Sequence, residues 1–241
     1  MYWLGLDLET TGLNTETDRI IEVGAVLWDY NKKAPIRIFS ELVHLISYPP
    51  ITKEIEDLTG ITQEILDKHS VAPNMLKIQL GNLFRIPGIT HFVAHNAPFD
   101  KAFLVELFKR ELENFPDTPW IDTAVDIPYP KSIQTRKLVH LAAEHGFVNP
   151  LAHRAVFDVL TMFKILTQYD AQEIMKLSSI PTIKVRADVT YANRNEASSR
   201  GYRWDAEKKW WTKNIKQNAL ADEIVSCPFK VLEVQNAGAP G

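Results

Sequence analysis

With 241 residues, 45% of them hydrophobic and 24% charged, the chain has the composition of a soluble globular protein with one sizeable domain and room for a small second one. No apolar run approaches the roughly 20 residues that span a bilayer, and no basic stretch leads into a long apolar one at the start; the expected setting is the cytoplasm, with no membrane partner. A single cysteine, Cys227, excludes an intramolecular disulfide and a cysteine-built zinc centre. The net charge of −3 is unevenly divided, because residues 181–241 carry ten Lys/Arg against seven Asp/Glu and leave residues 1–180 at −6.

In chain order, Leu4 to Leu13 opens with an expected strand in which Asp7 and Glu9, two apart, share a face while Leu6 and Leu8 point into packing. Two carboxylates held side by side oppose joint ionisation unless a cation lies between them. The pair therefore reads as half of a site for Mg²⁺ or Mn²⁺. Taken alone, it is more ordinarily the solvated face of an edge strand. Arg19–Trp28 and Ile36–Ile46 read as two further strands around the polar turn 29–33, which gives an antiparallel meander.

From Thr52 to Arg85 the apolar spacing turns helical, with Ile55/Leu58, Ile61/Ile65/Leu66 and Met75/Leu76/Leu80/Leu83/Phe84 as expected buried faces. His91–Asn96 follows as a short strand. The amphipathic run Lys101–Leu112 comes next, with Pro98 marking its approach and Asp100 in the first turn, where the helix dipole favours a carboxylate; a plain capping role fits Asp100 equally well. Trp120–Thr123 reads as a strand, Thr135–His145 as a helix closed by Gly146, and Val159–Tyr169 as a strong helix with Val156, Leu160, Phe163 and Leu166 on one face. His153 precedes Asp158 by five residues, so it belongs to the loop leading into that helix rather than to its face.

Leu6-Asp7-Leu8-Glu9-Thr10-Thr11-Gly12-Leu13, Ala94-His95-Asn96-Ala97-Pro98-Phe99-Asp100 and His153-Arg154-Ala155-Val156-Phe157-Asp158 together resemble, in order and spacing, the three motifs of the DEDDh exonucleases. Leu58-Thr59-Gly60-Ile61-Thr62 adds to the likeness, which covers residues 1–170 and runs to the proofreading subunits of bacterial DNA polymerase III and to bacterial exonuclease X. The resemblance implies an α/β fold, an RNase H-like mixed sheet of about five strands flanked by helices. It implies two metal ions held by Asp7, Glu9, Asp100 and Asp158, with His153 as the base that takes a proton from the attacking water. Asp122 matches a recurrent Asp-Thr of the family and stands behind the ligands rather than among them. Thr10, Thr11 and Leu13, with His95, Asn96 and Phe99, are the candidates for meeting the terminal nucleotide; turn bonding and packing is the competing account of each.

The implied activity is 3′–5′ hydrolysis at single-stranded DNA or RNA 3′ ends, most naturally DNA, releasing nucleoside 5′-monophosphates, with a polymerase or repair assembly as candidate partner. A catalytically idle module that binds nucleic-acid ends or a polymerase is the alternative, and a missing ligand would have favoured it.

The expected domains are residues 1–177 and, after the linker Ser178–Pro181, a small α+β unit over 182–235 that is a candidate for binding nucleic acid. In that unit Lys184–Tyr191 alternates as a strand, a short helix ends at Gly201, Tyr202–Lys213 forms a hairpin, and a helix near Asn218–Ser226 precedes a strand at Phe229–Val234. Three of the six tryptophans lie there among Lys and Arg. Trp204 and Trp210 are expected to form the small core, with the basic side chains free to bind phosphate. The tail Asn236–Gly241 is expected to be loose.

Overall fold

The computed structural model describes residues 1–45, 48–109, 115–130, 132–133 and 135–234. In chain order they form β1 (Tyr2–Thr10), β2 (Ile20–Asp29), β3 (Ala34–Leu42), α1 (Lys53–Thr59), α2 (Gln63–His69), α3 (Pro73–Phe84), β4 (Ile89–Ala94), α4 (Ala97–Lys109), β5 (Trp120–Asp122), α5 (Leu138–Glu144), α6 (Ala155–Leu166) and α7 (Ala171–Ser178). A second group follows: β6 (Thr182–Asp188), α8 (Arg194–Ser199), β7 (Arg203–Asp205), β8 (Trp210–Lys216), α9 (Leu220–Ser226) and β9 (Lys230–Glu233).

The first sheet has the order β3-β2-β1-β4-β5. Its β3-β2-β1 half is the expected antiparallel meander, while β4 and β5 run parallel to β1. Strand β1 is therefore the centre of the sheet, which overturns the edge-strand account of Asp7 and Glu9. Alternation along β1 sorts the core into two layers. Leu4, Leu6 and Leu8 join Val23, Ala25 and Leu27 of β2 in packing on α3 and α4. On the other face, Trp3, Val26 and Trp28 pack on α5, α6 and α7 through Leu141, Val159, Phe163 and Ile174, with the rings of Trp28 and Phe163 stacked 4.8 Å apart.

Helix α6 lies unusually close to the sheet because two glycines let it. A Cβ on Gly5 would stand 2.4 Å from the Phe163 ring, and one on Gly24 would stand 2.3 Å from the backbone nitrogen of Val156. The first clash is with a side chain and the second with backbone, so Gly24 is the stricter requirement.

Several expectations shift. Leu58 and Ile65 are exposed because α1 and α2 are two-turn helices that present Thr59 and Leu66 inward, Ile61 in the loop between them is buried, and Met75 is exposed because α3 turns Leu76, Leu80, Leu83 and Phe84 inward. Helix α5 begins at Leu138 rather than Thr135, since the backbone before it turns to offer the Arg136 carbonyl to His95. Strand β3 stops at Leu42; the expected end at Ile46, the helical residues 110–112 and the tail Asn236–Gly241 lie outside the described residues. Helix α7, which buries Ile174, was not anticipated. Among the described residues no helix is long and apolar enough to cross a membrane.

The second sheet has the order β7-β8-β6-β9, every pair antiparallel. Its core is Val185, Ala187, Ala197, Tyr202, Ile215 and Val231, not Trp204 and Trp210. The register explains the correction: Trp204 pairs with Trp211 and Asp205 with Trp210, so adjacent tryptophans of β8 point to opposite faces. Trp211 packs against the core, Trp204 is 52% exposed on the edge strand, and Trp210 lies on the far face. Lys216 of β8 joins the two units by a buried ion pair with Asp126. Its ammonium also donates to the Ile180 carbonyl at 2.9 Å and to Thr182 Oγ1 at 3.1 Å.

Candidate active site

Asp7 and Glu9 project from the α6 side of β1, where their cross-strand partners are Gly24 and Glu22. Two other elements bring carboxylates toward them. Strand β4, parallel to β1, ends at Ala94, and the chain turns at Asn96 (φ 73°) straight into α4. That left-handed conformation is one Asn tolerates better than most residues. The turn places Asp100 in the first helical turn, buried. Asp122 at the end of β5 secures this turn from behind, its Oδ1 accepting the N–H groups of Asn96 and Ala124, each at 2.9 Å.

Asp158 comes from the first turn of α6. Its two oxygens accept from Asn149 Nδ2 at 2.5 Å and from the backbone N–H of His153 at 3.0 Å, so one carboxylate fixes both its own rotamer and the histidine loop. His153 itself is exposed and held at φ 63°. Its ring nitrogen, a Glu9 oxygen and an Asp158 oxygen all lie within 4.8 Å of one another.

Glu22 organises this arrangement from beneath. It is 1% exposed, it takes the Arg154 guanidinium through Nε at 3.1 Å and Nη2 at 2.9 Å, and its other oxygen accepts the first free N–H of α6, from Ala155, at 2.9 Å. Charge-assisted, two-pronged bonding of this kind sets orientation as well as energy, and a carboxylate at a helix N-terminus is favoured by the dipole. The start of α6, and with it Asp158 and His153, is thereby fixed to β2.

Sequence reading missed Glu22 and Asn149. A signal existed for the first: Glu22 interrupts an apolar run whose every residue proves buried, and a lone carboxylate in such a strand demands a partner. Asn149 carried no comparable mark beyond its place before Pro150.

The electrostatics of the carboxylates are severe. Burial, then the charges of Asp100, Asp158, Glu9 and Glu22, hold Asp7 well above the ordinary carboxylate range. Burial and the charges of Asp158 and Glu22 push Glu9 up to about 8, against a lowering pull from Arg154. Asp100 is likewise raised, first by burial. Asp158 is raised by burial too, but opposed by its bonds to His153 and Asn149. Asp100 Oδ1 is buried without a hydrogen-bond partner. Four hard oxygen donors that cannot all ionise alone, one of them with an unused buried lone pair, fit divalent cations.

The candidate nucleotide contacts divide. Leu13 is 85% exposed and Asn96 is also exposed, so both are available at the rim. Phe99 is half-buried against Phe103. Thr10 bonds to the Gly12 carbonyl at 2.6 Å, while Thr11 is engaged with Tyr48 and Arg19; both hydroxyls shape the loop. Both ring nitrogens of His95 are occupied, by Thr123 Oγ1 at 2.9 Å and the Arg136 carbonyl at 2.5 Å. With its pKa lowered to about 4, chiefly by burial, His95 is a neutral brace behind the site.

A five-stranded mixed sheet sandwiched by helices, with carboxylates on β1 and at the starts of α4 and α6, is an RNase H-like fold. The sequence pattern of the exonuclease (RNase_T) family matches residues 4–166, and a family described as a domain of unknown function matches residues 183–234. The chain belongs to the exonuclease family. It is similar to the DNA polymerase III subunit epsilon of Treponema pallidum, 34% identical over 168 residues that cover 67% of this chain and 73% of that one. It is similar as well to the DNA polymerase III PolC-type protein of Thermotoga petrophila, 31% identical over 191 residues covering 77% of this chain; here the chain spans only 13% of the relative's length. Among solved structures, the nuclease domain of 3′hExo, a DEDDh family member bound to rAMP, superposes with a TM-score of 0.57 at 22% identity, covering 69% of this chain and 90% of that one.

Proposed function

We propose that the chain removes nucleoside 5′-monophosphates one at a time from nucleic-acid 3′ ends, DNA foremost, with two divalent ions, Mg²⁺ or Mn²⁺, held by Asp7, Glu9, Asp100 and Asp158. The observation that carries this reading is the grouping of Glu9 and Asp158 with His153 within 4.8 Å, with Asp7 near enough for the charges of Asp100, Asp158 and Glu9 to act on it and an orphaned Asp100 oxygen behind. When bound, such ions supply charge neutralisation at the attacking and leaving oxygens of an in-line phosphoryl displacement.

The chain's own residues account for the rest. His153, exposed beside Glu9 and Asp158, takes the proton of the attacking water as general base. Its backbone N–H is held by Asp158. Leu13, Asn96 and Phe99 border the position of the terminal nucleotide, and Asp122 keeps α4 and Asp100 in register behind it. The DNA preference and a polymerase partner are drawn from the similarity to DNA polymerase III proteins.

End-labelled single- and double-stranded DNA and RNA, incubated with and without Mg²⁺ or Mn²⁺, test the reading in one gel. The expected result is a metal-dependent ladder shortening from the 3′ end, fastest on DNA, with 5′-monophosphates as product. Metal-independent degradation, or none with either ion, overturns it.

A further inference from the structure

Among the described residues, the helices of the C-terminal unit pack on one face of its sheet. Val185, Ala187, Ile215 and Val231 pack with Ala197 of α8 and, at the margin, Leu220 of α9. Alternation puts the intervening residues on the opposite face, and the register aligns them: Arg203 beside Thr212, Thr212 beside Arg186, Arg186 beside Leu232, Lys184 beside Asn214, and Thr182 beside Lys216. With Lys230 next to Asp188, this face carries Lys184, Arg186, Arg203 and Lys230, with Asp188 and Asp205 as its acidic residues, while Lys216 at its corner is neutralised by Asp126.

Two features mark it as more than a solvated surface. Trp210 stands on it with the Arg186 guanidinium 4.9 Å from its ring centre and the Lys208 ammonium at 5.8 Å, so two cations are held in place by one ring rather than left to wander. The face is also fixed with respect to the active site. Lys216 at its corner is buried in the ion pair with Asp126, which accepts the backbone N–H of Asp122 at 2.8 Å, and Arg203 lies close enough for its charge to act on His95. The cationic face thus adjoins the ends of β4 and β5, the side of the catalytic sheet from which Asp100 enters.

We propose that this face, Lys184, Arg186 and Arg203 with the Trp210 clamp, is a phosphate-tracking platform for the single strand whose 3′ end occupies the carboxylate site; the occupant rests on the exonuclease reading. Charge complementarity chooses it. A flexible polyanion can lie across a flat row of spaced cations, and each phosphate contact on a single strand adds about 0.7 to the salt slope. Trp204, exposed on the opposite face, takes no part.

The test is fluorescence anisotropy on a 20-nucleotide single strand, in EDTA so that no cleavage intrudes. Arg186→Gln with Arg203→Gln should weaken binding roughly 10- to 30-fold at 0.1 M salt and lower the slope by about 1.4. The matched pair Arg194→Gln with Arg200→Gln, on the helix-covered side, should change neither. If the first double variant does not fold, as judged by circular dichroism, Arg203→Gln alone, on the exposed edge strand, should give about half the loss of slope. Unchanged affinity and slope, or an equal loss in the matched pair, overturns the platform. Turnover of a trinucleotide with Mg²⁺, too short to reach the face, should be the same in all variants; its absence in every protein, wild type included, would sink the exonuclease reading and leave the binding result standing.

Discussion

The two sheets of this protein use alternation in opposite ways. The catalytic sheet is packed on both faces, so Asp7 and Glu9, half-buried on the α6 side, stand in a crowded setting where their charge becomes costly. The C-terminal sheet is packed on one face, so its alternate residues, Lys184, Arg186 and Arg203, remain wet and their charge comes cheaply. Covering a sheet turns a polar row into a site that must recruit counter-charge, while leaving it bare turns the same pattern into a surface that attracts a polyanion from a distance. The Lys216–Asp126 pair joins the two, being the one place where a cation of the open face enters the covered domain among the described residues.

The largest way to break this contrast is to remove charge from the covered sheet. Asp7→Asn keeps the size of the side chain and relieves repulsion from Asp100, Asp158 and Glu9, so turnover is expected to fall at least about a thousandfold while the melting temperature of the metal-free protein rises. A thermal melt alongside the exonuclease assay checks both; activity that survives the substitution would remove Asp7 from the site.

His153→Ala comes next. Its proposed task is proton transfer, which contributes on the order of 10²–10⁴, and its backbone N–H to Asp158 is retained in the variant. Calorimetric Mn²⁺ affinity should therefore change little while the rate falls about a hundredfold. A collapse of affinity would make the imidazole a ligand, as its closeness to Glu9 and Asp158 permits.

The catalytic half was legible because its signals are local and redundant. Alternation around Asp7 and Glu9, a helix start at Pro98 and a histidine just ahead of a helix each survive without knowledge of the tertiary fold. What was not legible depends on pairing between distant strands and helices. That β1 is central follows from β4 joining it in parallel, which no local pattern shows. The choice between Trp210 and Trp211 hangs on the register between β7 and β8, where one residue of slip exchanges the faces. Glu22 became meaningful only when Arg154 and Ala155, far along the chain, arrived beside it. His95 sits in a motif suggestive of substrate contact, yet Thr123 and Arg136 had already claimed both ring nitrogens.

A smaller effect is expected at Glu22. Glu22→Gln keeps the volume but cannot accept from both Arg154 and Ala155 as a charged group, a loss of about 2 kcal/mol of orientation and stability. Because Asp158 and His153 are positioned through the start of α6, the rate should drop roughly 10- to 30-fold, and Arg154→Ala should produce no further loss on top of it. Additive losses in that double-mutant cycle would show that Glu22 acts on the site by another route.

The smallest effect sharpens the comparison through pH. In the metal-free protein Glu9 is raised to about 8 from an ordinary 4.5, and Asp7 and Asp100 are raised with it. The folded state therefore holds protons that the unfolded chain has released, so stability falls as pH climbs from about 5 through 8. His95 works in the other direction. Its value of about 4, below an ordinary 6.5, means the unfolded chain binds the extra proton, and stability falls as pH drops from 6.5 through 4. The metal-free melting temperature should thus peak in mildly acidic solution and decline toward pH 8. Mg²⁺ should reverse that decline because it replaces the retained protons, and its stabilisation should be greater at pH 8 than at pH 5.5. Melts of full-length protein in EDTA and in excess Mg²⁺ across this range decide the matter. The open cationic sheet gives no reason for a metal-linked slope, so Arg186→Gln with Arg203→Gln should leave the difference between the two curves unchanged, whereas Asp100→Asn should flatten it. A Mg²⁺ effect equal at both pH values would mean that the covered carboxylates are not where the cation binds.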